Sequence, residues 1–316
     1  MLLKKKELIS LIVPCFNEEE SLPIFYNEVD RISSEMKEVD FEFIFINDGS
    51  KDKTLEILRN LSKEDHRVRY VSFSRNFGKE AGMYAGLENS KGDYVAIMDA
   101  DMQDPPEMIK RMYADIMKDD YDCIALYTKT HKGYNFIRKG LTNIWYKLID
   151  KISNSHQVPG ARDFRLMTRQ MVDAILSMKE YNRYTKGIFG FVGFNTKWIE
   201  YEAPDRAAGK SKFSLFKLIK YAMEGIVAFS TSPLLMSAYV GLLFCFVAFI
   251  TILVIIIKTL VWGDPVGGWP SLACLIVFIG GIQLFFLGII GLYLSKIYLE
   301  VKKRPIYIEK ENEKRK

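Results

Sequence analysis

The sequence predicts an α/β domain on a mainly parallel, Rossmann-like sheet, with interfacial amphipathic helices and two C-terminal transmembrane helices. Three observations carry this. Apolar, β-branched runs alternate with helically spaced stretches over the first 130 residues, charge is absent from Leu234–Ile257 and from Ser271–Ser295, and cations gather outside those two runs. Averages conceal the division, because 49% hydrophobic and 26% charged residues with a mean hydropathy of -0.01 describe an ordinary soluble chain.

Leu8–Val13, Phe41–Ile46, Val68–Phe73, Tyr94–Met98 and Cys123–Leu126 are near-continuous in apolar residues, the pattern of strands buried on both faces. Ser21–Lys37, Thr54–Leu61, Lys79–Glu88 and Glu107–Met117 lie between them with helical spacing. Repeated strand–helix–strand order makes a parallel sheet with helices on both faces, and such sheets bind ligands beyond the carboxyl ends of the strands. The functional candidates are therefore the stretches that follow strands: Pro14–Glu18, Asn47–Ser50, Ser74–Lys79 and Asp99–Asp101. Further on the pattern is less regular. Residues 136–152 combine aromatics and cations on an amphipathic helix suited to a membrane surface or to covering the sheet, and Phe213–Phe229 repeats that character.

At ~1.5 Å per residue each uncharged run exceeds the ~30 Å hydrocarbon core of a bilayer. Five cations (Arg206, Lys210, Lys212, Lys217, Lys220) precede the first run and eight follow the second, against one Lys and one Asp between them. The positive-inside rule then places both termini and the large domain on the cytoplasmic side of a cell membrane. The expected organisation is a catalytic domain over 1–212, a juxtamembrane helix over 213–232, a two-helix hairpin over 233–295 and a basic tail over 296–316, mobile after Arg304. The apolar run near the N-terminus is too short for a signal peptide. Cys15, Cys123, Cys245 and Cys274 have neither disulfide nor zinc spacing. A net charge of +5 without basic clusters interleaved with aromatics excludes a nucleic-acid partner.

Asp99 and Asp101, two residues apart at a strand end, face one crevice and repel unless a hard divalent cation bridges them to a diphosphate. Asp48 at the second strand end can accept from a nucleobase imide or amino group, while Ser50 reads as a cap on the following helix. Asn17 and Glu18 fit a ligand loop or a helix N-terminus equally. Cys15 reads as a small buried residue.

Ile12–Glu19, Ile46–Asp52, Arg75–Glu80 and Met98–Pro106 resemble the motifs of inverting family 2 glycosyltransferases with a GT-A fold. Gly160–Met167, Asn182–Tyr184 and Arg206–Phe213, followed by two spans, narrow the resemblance to polyprenyl-phosphate glycosyltransferases, such as bactoprenol glucosyltransferases and dolichyl-phosphate mannose synthases. The resemblance implies that Pro14, Asn17, Glu18, Asp48 and Lys79 hold the nucleotide. It implies further that Asp99 and Asp101, with Gln103, hold Mg²⁺ or Mn²⁺ on the diphosphate, and that Arg206 and Lys212 neutralise phosphate. Arg138 is a weaker candidate for the acceptor phosphate. Asp163 stands where relatives with hydroxyl acceptors carry a base, and here it positions, acts as base, or pairs with Arg162 or Arg165. A phosphate monoester with a second pKa of about 6 is already largely dianionic, so the reaction needs little general base.

The expected reaction is inverting transfer of one hexose, glucose from a UDP-sugar, to undecaprenyl phosphate. Galactose, N-acetylglucosamine and GDP-mannose remain open as donor choices, as do a diacylglycerol-type acceptor and a catalytically silent nucleotide-sugar-binding partner. Processive synthases carry Gln-x-x-Arg-Trp where this chain reads Glu180–Tyr184, which favours single-sugar transfer. The resemblance also implies a homotetramer, and a separate flippase for the product.

Overall fold

The computed structural model describes residues 6–128, 158, 160–201 and 268–313, with scattered positions between 234 and 261. It divides into two compact units, Met1–Ser214 with Arg304–Lys316, and Leu215–Lys303.

The first unit is a mixed α/β sheet of the expected GT-A-like kind. Its strands are β1 (Glu7–Cys15), β2 (Val39–Asn47), β3 (Val68–Phe73), β4 (Tyr94–Ile97), β5 (Cys123–Thr128), β6 (Ala161–Thr168), β7 (Thr196–Tyr201) and β8 (Glu309–Asn312). They are ordered β7-β5-β6-β4-β1-β2-β3-β8. All five expected strands form. β1 pairs parallel to both β2 and β4, and β2 pairs parallel to β3. The other end is mixed: β6 runs antiparallel to both β4 and β5, and β7 parallel to β5.

Helices α1 (Ser21–Glu35), α2 (Thr54–Glu64), α3 (Lys79–Asn89) and α4 (Met108–Lys118) connect the parallel strands, and α5 (Arg169–Ser177) and α6 (Thr185–Phe191) follow β6. Side chains of a strand alternate between faces, and β2 divides accordingly. Phe43 and Phe45 enter the core with Phe25 of α1 and Met112 of α4, while Ile44 and Ile46 join Ala81 and Ala85 of α3 on the other face. On α1, Leu22, Phe25, Val29 and Ile32 recur every three or four residues and are buried. α3 is buried from Ala81 to Leu87. It approaches β1 so closely that a Cβ at Gly86 would stand 2.1 Å from Ile12 Cγ2. Pro105 and Pro106 form the turn leading into α4, so the helix begins just after them at Met108.

The expectation of a mobile tail after Arg304 is corrected. β8 pairs antiparallel with β3, the Tyr307 ring stacks on Phe73 with centroids 4.8 Å apart, and its hydroxyl donates to Glu88 (2.6 Å). Arg59 grips Glu311 through Nε (3.1 Å) and Nη2 (2.5 Å). Charge made the segment look unstructured, yet an open sheet edge supplied its partner.

In the second unit, α7 (Trp269–Val301) contains Phe278–Val301, whose mean hydropathy of 1.9 and 24 residues suffice to cross a membrane. It is the one such helix among the described residues. The first expected span falls largely outside them, as do residues 136–152 and Phe213–Phe229.

Candidate active site

The loops after β1 and β2 are stitched together by side chain–backbone bonds. Asn17 has φ +56, a left-handed conformation that Asn adopts more readily than most residues. Its N–H donates to Ser50 Oγ (3.0 Å) and its Oδ1 accepts from Lys51 N–H (2.9 Å). Glu18 N–H donates to Thr54 Oγ1 (2.8 Å), and Lys53 N–H donates to Glu19 Oε2 (2.9 Å). The expected capping role of Ser50 passes to Asp52, whose Oδ1 accepts from Thr54 N–H (3.0 Å). Ser50 serves the neighbouring loop instead.

Asp48 ties in the third loop. It is 4% exposed, and its two oxygens accept from the N–H groups of Phe77 (2.6 Å) and Gly78 (2.9 Å). Burial pushes its carboxyl above the ordinary value, against the pull of those two amides and of Arg75. Gly49 makes the approach possible: its φ is +66, and a Cβ there would lie 2.4 Å from the Arg75 carbonyl carbon. Pro14, near the end of β1, lies against α3, its Cβ 3.3 Å from where a Cβ on Gly82 would stand.

Lys79, first residue of α3, reaches across the carboxyl edge. Its Nζ donates to Asp99 (2.7 Å) and to Asp163 Oδ2 (2.6 Å). The β4–β6 register explains the meeting: Tyr94 opposes Thr168 and Ile97 opposes Arg165, so two residues further along Asp99 comes opposite Asp163. Burial alone would lower the Lys79 pKa, but the two carboxylates outweigh it and hold the ammonium protonated above the usual lysine range. Asp99 is pushed up by burial, with Lys79 opposing. Asp163 goes the other way. Burial would raise it, yet Lys186, Lys79 and Arg165 together hold it below the usual carboxylate range.

Asp163 therefore pairs with lysines and with neither neighbouring arginine. Alternation along β6 turns Arg162 to the opposite face, where its guanidinium lies 3.5 Å from Asp104, whereas Arg165 shares the face of Asp163 but stacks on the Phe189 ring at 3.5 Å. Asp101 is exposed, and its Oδ1 accepts from Gln103 N–H (3.1 Å). Burial raises the Glu18 carboxyl, a bond from Ser21 lowers it, and the charges of Asp101 and Asp99 push it up again. The three acids thus share one region. Burial raises the Cys15 thiol far from any nucleophilic range.

This donor set fits a hard divalent cation. Among the described residues no group of three His, Cys, Asp or Glu side chains is arranged to hold a metal. Two carboxylates completed by substrate phosphates are, however, the usual protein share of a Mg²⁺ site.

Three contributors escaped the sequence reading. Lys186 stands 3.7 Å from Asp163 Oδ1, while Glu80 Oε2 accepts from Thr185 N–H (2.9 Å) and from the Thr185 hydroxyl. Only Glu80, beside Lys79 in a quoted motif, left a trace in the sequence. Arg206 and Lys212 lie outside the described residues, as does Arg138.

The family model described as "Glycosyl transferase family 2" matches residues 10–176. A bactoprenol glucosyl transferase of Shigella phage SfV is 43% identical over 98% of this chain and 99% of its own length. The SfII prophage-derived bactoprenol glucosyl transferase of Shigella flexneri is 42% identical over 96% of this chain and 98% of its own length. The putative glycosyltransferase CsbB of Bacillus subtilis is 40% identical over 97% of this chain and 92% of its own length.

Proposed function

The chain belongs to glycosyl transferase family 2 and is a glycosyltransferase, and from that premise we propose that it transfers one glucose from UDP-glucose to undecaprenyl phosphate with inversion at the anomeric carbon. Near-full-length identity to bactoprenol glucosyl transferases supports the lipid phosphate acceptor. The observation that carries the reading is Lys79 holding Asp99 and Asp163 together at the carboxyl edge. Under this proposal Asp99 serves the donor side and Asp163 the acceptor side, and Lys79 joins the two.

In this reading Pro14 and the loops stitched by Asn17, Glu18 and Asp48 cradle the nucleotide. Asp99 and Asp101, with Gln103 adjoining, hold Mg²⁺ or Mn²⁺, which supplies positive charge for the leaving diphosphate. Arg206 and Lys212 add cations for phosphate on the acceptor side. The acceptor oxygen attacks the anomeric carbon from the face opposite the UDP, the C–O bond to UDP breaks, and its electron pair leaves on the diphosphate. Asp163 is suited to positioning: a carboxylate held below its usual pKa is a weak base, and a phosphate dianion has no proton to lose. That favours a phosphate over a hydroxyl acceptor.

A lipid acceptor implies membrane association, which the apolar Phe278–Val301 supports. A second span, cytoplasmic orientation, a homotetramer and a separate flippase complete the proposal.

The test is transfer of radiolabel from UDP-hexoses and GDP-mannose to undecaprenyl phosphate in membranes, with and without EDTA, in wild type and Asp101→Ala. The expected result is a mild-acid-labile lipid product from UDP-glucose alone, abolished by EDTA and by the substitution. Product from GDP-mannose alone would replace the donor. Bound nucleotide sugar without transfer to lipid phosphate would overturn the activity.

A further inference from the structure

Of the two lysines around Asp163, Lys186 is the one whose hydrogen-bonding capacity is less used among the described residues. Its Nζ donates to the Ala161 carbonyl (3.1 Å). At 3.7 Å from Asp163 Oδ1 it attracts that carboxylate without a hydrogen bond to it. An ammonium has three donors, and the side chain is 35% exposed. Lys79, by contrast, spends its donors on Asp99 and on the other Asp163 oxygen. The position of Lys186 is built. Glu80, at the start of α3, accepts both the N–H and the hydroxyl of Thr185, and Tyr184 O accepts from Gly187 N–H (2.9 Å). The turn carrying Lys186 is thereby pinned to the helix that carries Lys79.

A lipid phosphate that attacks beside Asp163 meets an ionised carboxylate, and like charges so close repel strongly. Some cation must answer both. We infer that Lys186 binds the acceptor's phosphate monoester dianion, using the donors that Asp163 leaves unused, while its charge offsets that of Asp163. The inference rests on the polyprenyl-phosphate reading above and deepens it by assigning the headgroup subsite to a residue on α6. The same chemistry would also suit a phosphate of the donor, so the test must separate the two.

The full chain, solubilised in detergent, is assayed with UDP-glucose and farnesyl phosphate as wild type, Lys186→Gln and Lys186→Arg. Calorimetric binding of UDP-glucose, which needs no acceptor, shows that each variant is folded. Loss of one charge-assisted contact raises the acceptor KM about 10- to 100-fold in Lys186→Gln. Lys186→Arg, which keeps the charge, stays within about threefold of wild type, and the donor KM changes by less than about twofold in both. A raised donor KM with an unchanged acceptor KM would assign Lys186 to the diphosphate and overturn the inference. So would a fall in kcat alone, which marks a residue acting only through Asp163. If wild type binds UDP-glucose yet transfers nothing to farnesyl phosphate or to undecaprenyl phosphate, the polyprenyl-phosphate reading falls and takes the inference with it.

Discussion

The two sides of the candidate site are held by different forces. On the β1–β2 side, loops are joined through backbone amides: Asn17, Ser50, Thr54 and Asp48 each engage a main-chain group of a neighbouring loop. On the β4–β6 side, Asp99 and Asp163 meet Lys79 and Lys186 through side-chain charge. Amide bonds fix a shape, whereas ion pairs fix a charge balance that an arriving anion or cation can rearrange. Substitutions on the first side should cost stability, and those on the second should cost turnover.

The largest expected effect tests that contrast directly. Asp163→Ala leaves Lys79 and Lys186 without their shared partner and should lower kcat about 100- to 1,000-fold, while UDP-glucose affinity by calorimetry changes little. A large loss of stability instead would erase the distinction between the two sides. Asp48→Ala should do the reverse: two buried amides lose a charged acceptor, costing about 2–4 kcal/mol, read as a fall in thermal midpoint. Turnover of the protein that remains folded should drop far less.

Acid offers a finer probe. The folded pKa of Asp163 lies below its unfolded value, so its contribution to stability is present above about pH 4 and is lost as pH falls through the folded pKa. Thermal midpoints of the full chain measured from pH 6 down to about 2 should fall further in wild type than in Asp163→Asn, since Asp52 and Asp65, also held low, titrate in both. Smallest of all is Glu311→Ala. Removing the partner of Arg59 and Tyr70 should cost about 1 kcal/mol, with transfer unchanged.

The same division explains what could be read in advance. β1 to β5 announce themselves because strands buried on both faces are nearly continuous in apolar residues, and the parallel loops follow from where those strands stop. Ala161–Thr168 carries Arg162, Asp163 and Arg165, so its strand character is hidden beneath a motif. Glu309–Asn312 contains only polar and charged residues, which local propensity would never assign to a strand. Asp99 and Asp101 could be placed at the edge from sequence. Their link to Asp163 could not, because it depends on an antiparallel register between segments about 70 residues apart. Lys186 was harder still, since contacts far apart in sequence bring it into the site, among them Glu80 with Thr185, 105 residues apart, and Arg165 with Phe189.

The tail strand also sets a timetable for synthesis. Tyr70 and Glu311, which touch in the finished sheet, are 241 residues apart. At ~5–20 residues per second on the ribosome that interval lasts roughly 12 to 48 s, during which β3 is a bare edge able to pair with another chain. The apolar helix Trp269–Val301 must be made before that edge can be covered. Maturation of the catalytic sheet thus ends only after the apolar segment has left the ribosome, which makes the nascent chain most vulnerable to mispairing late in its production.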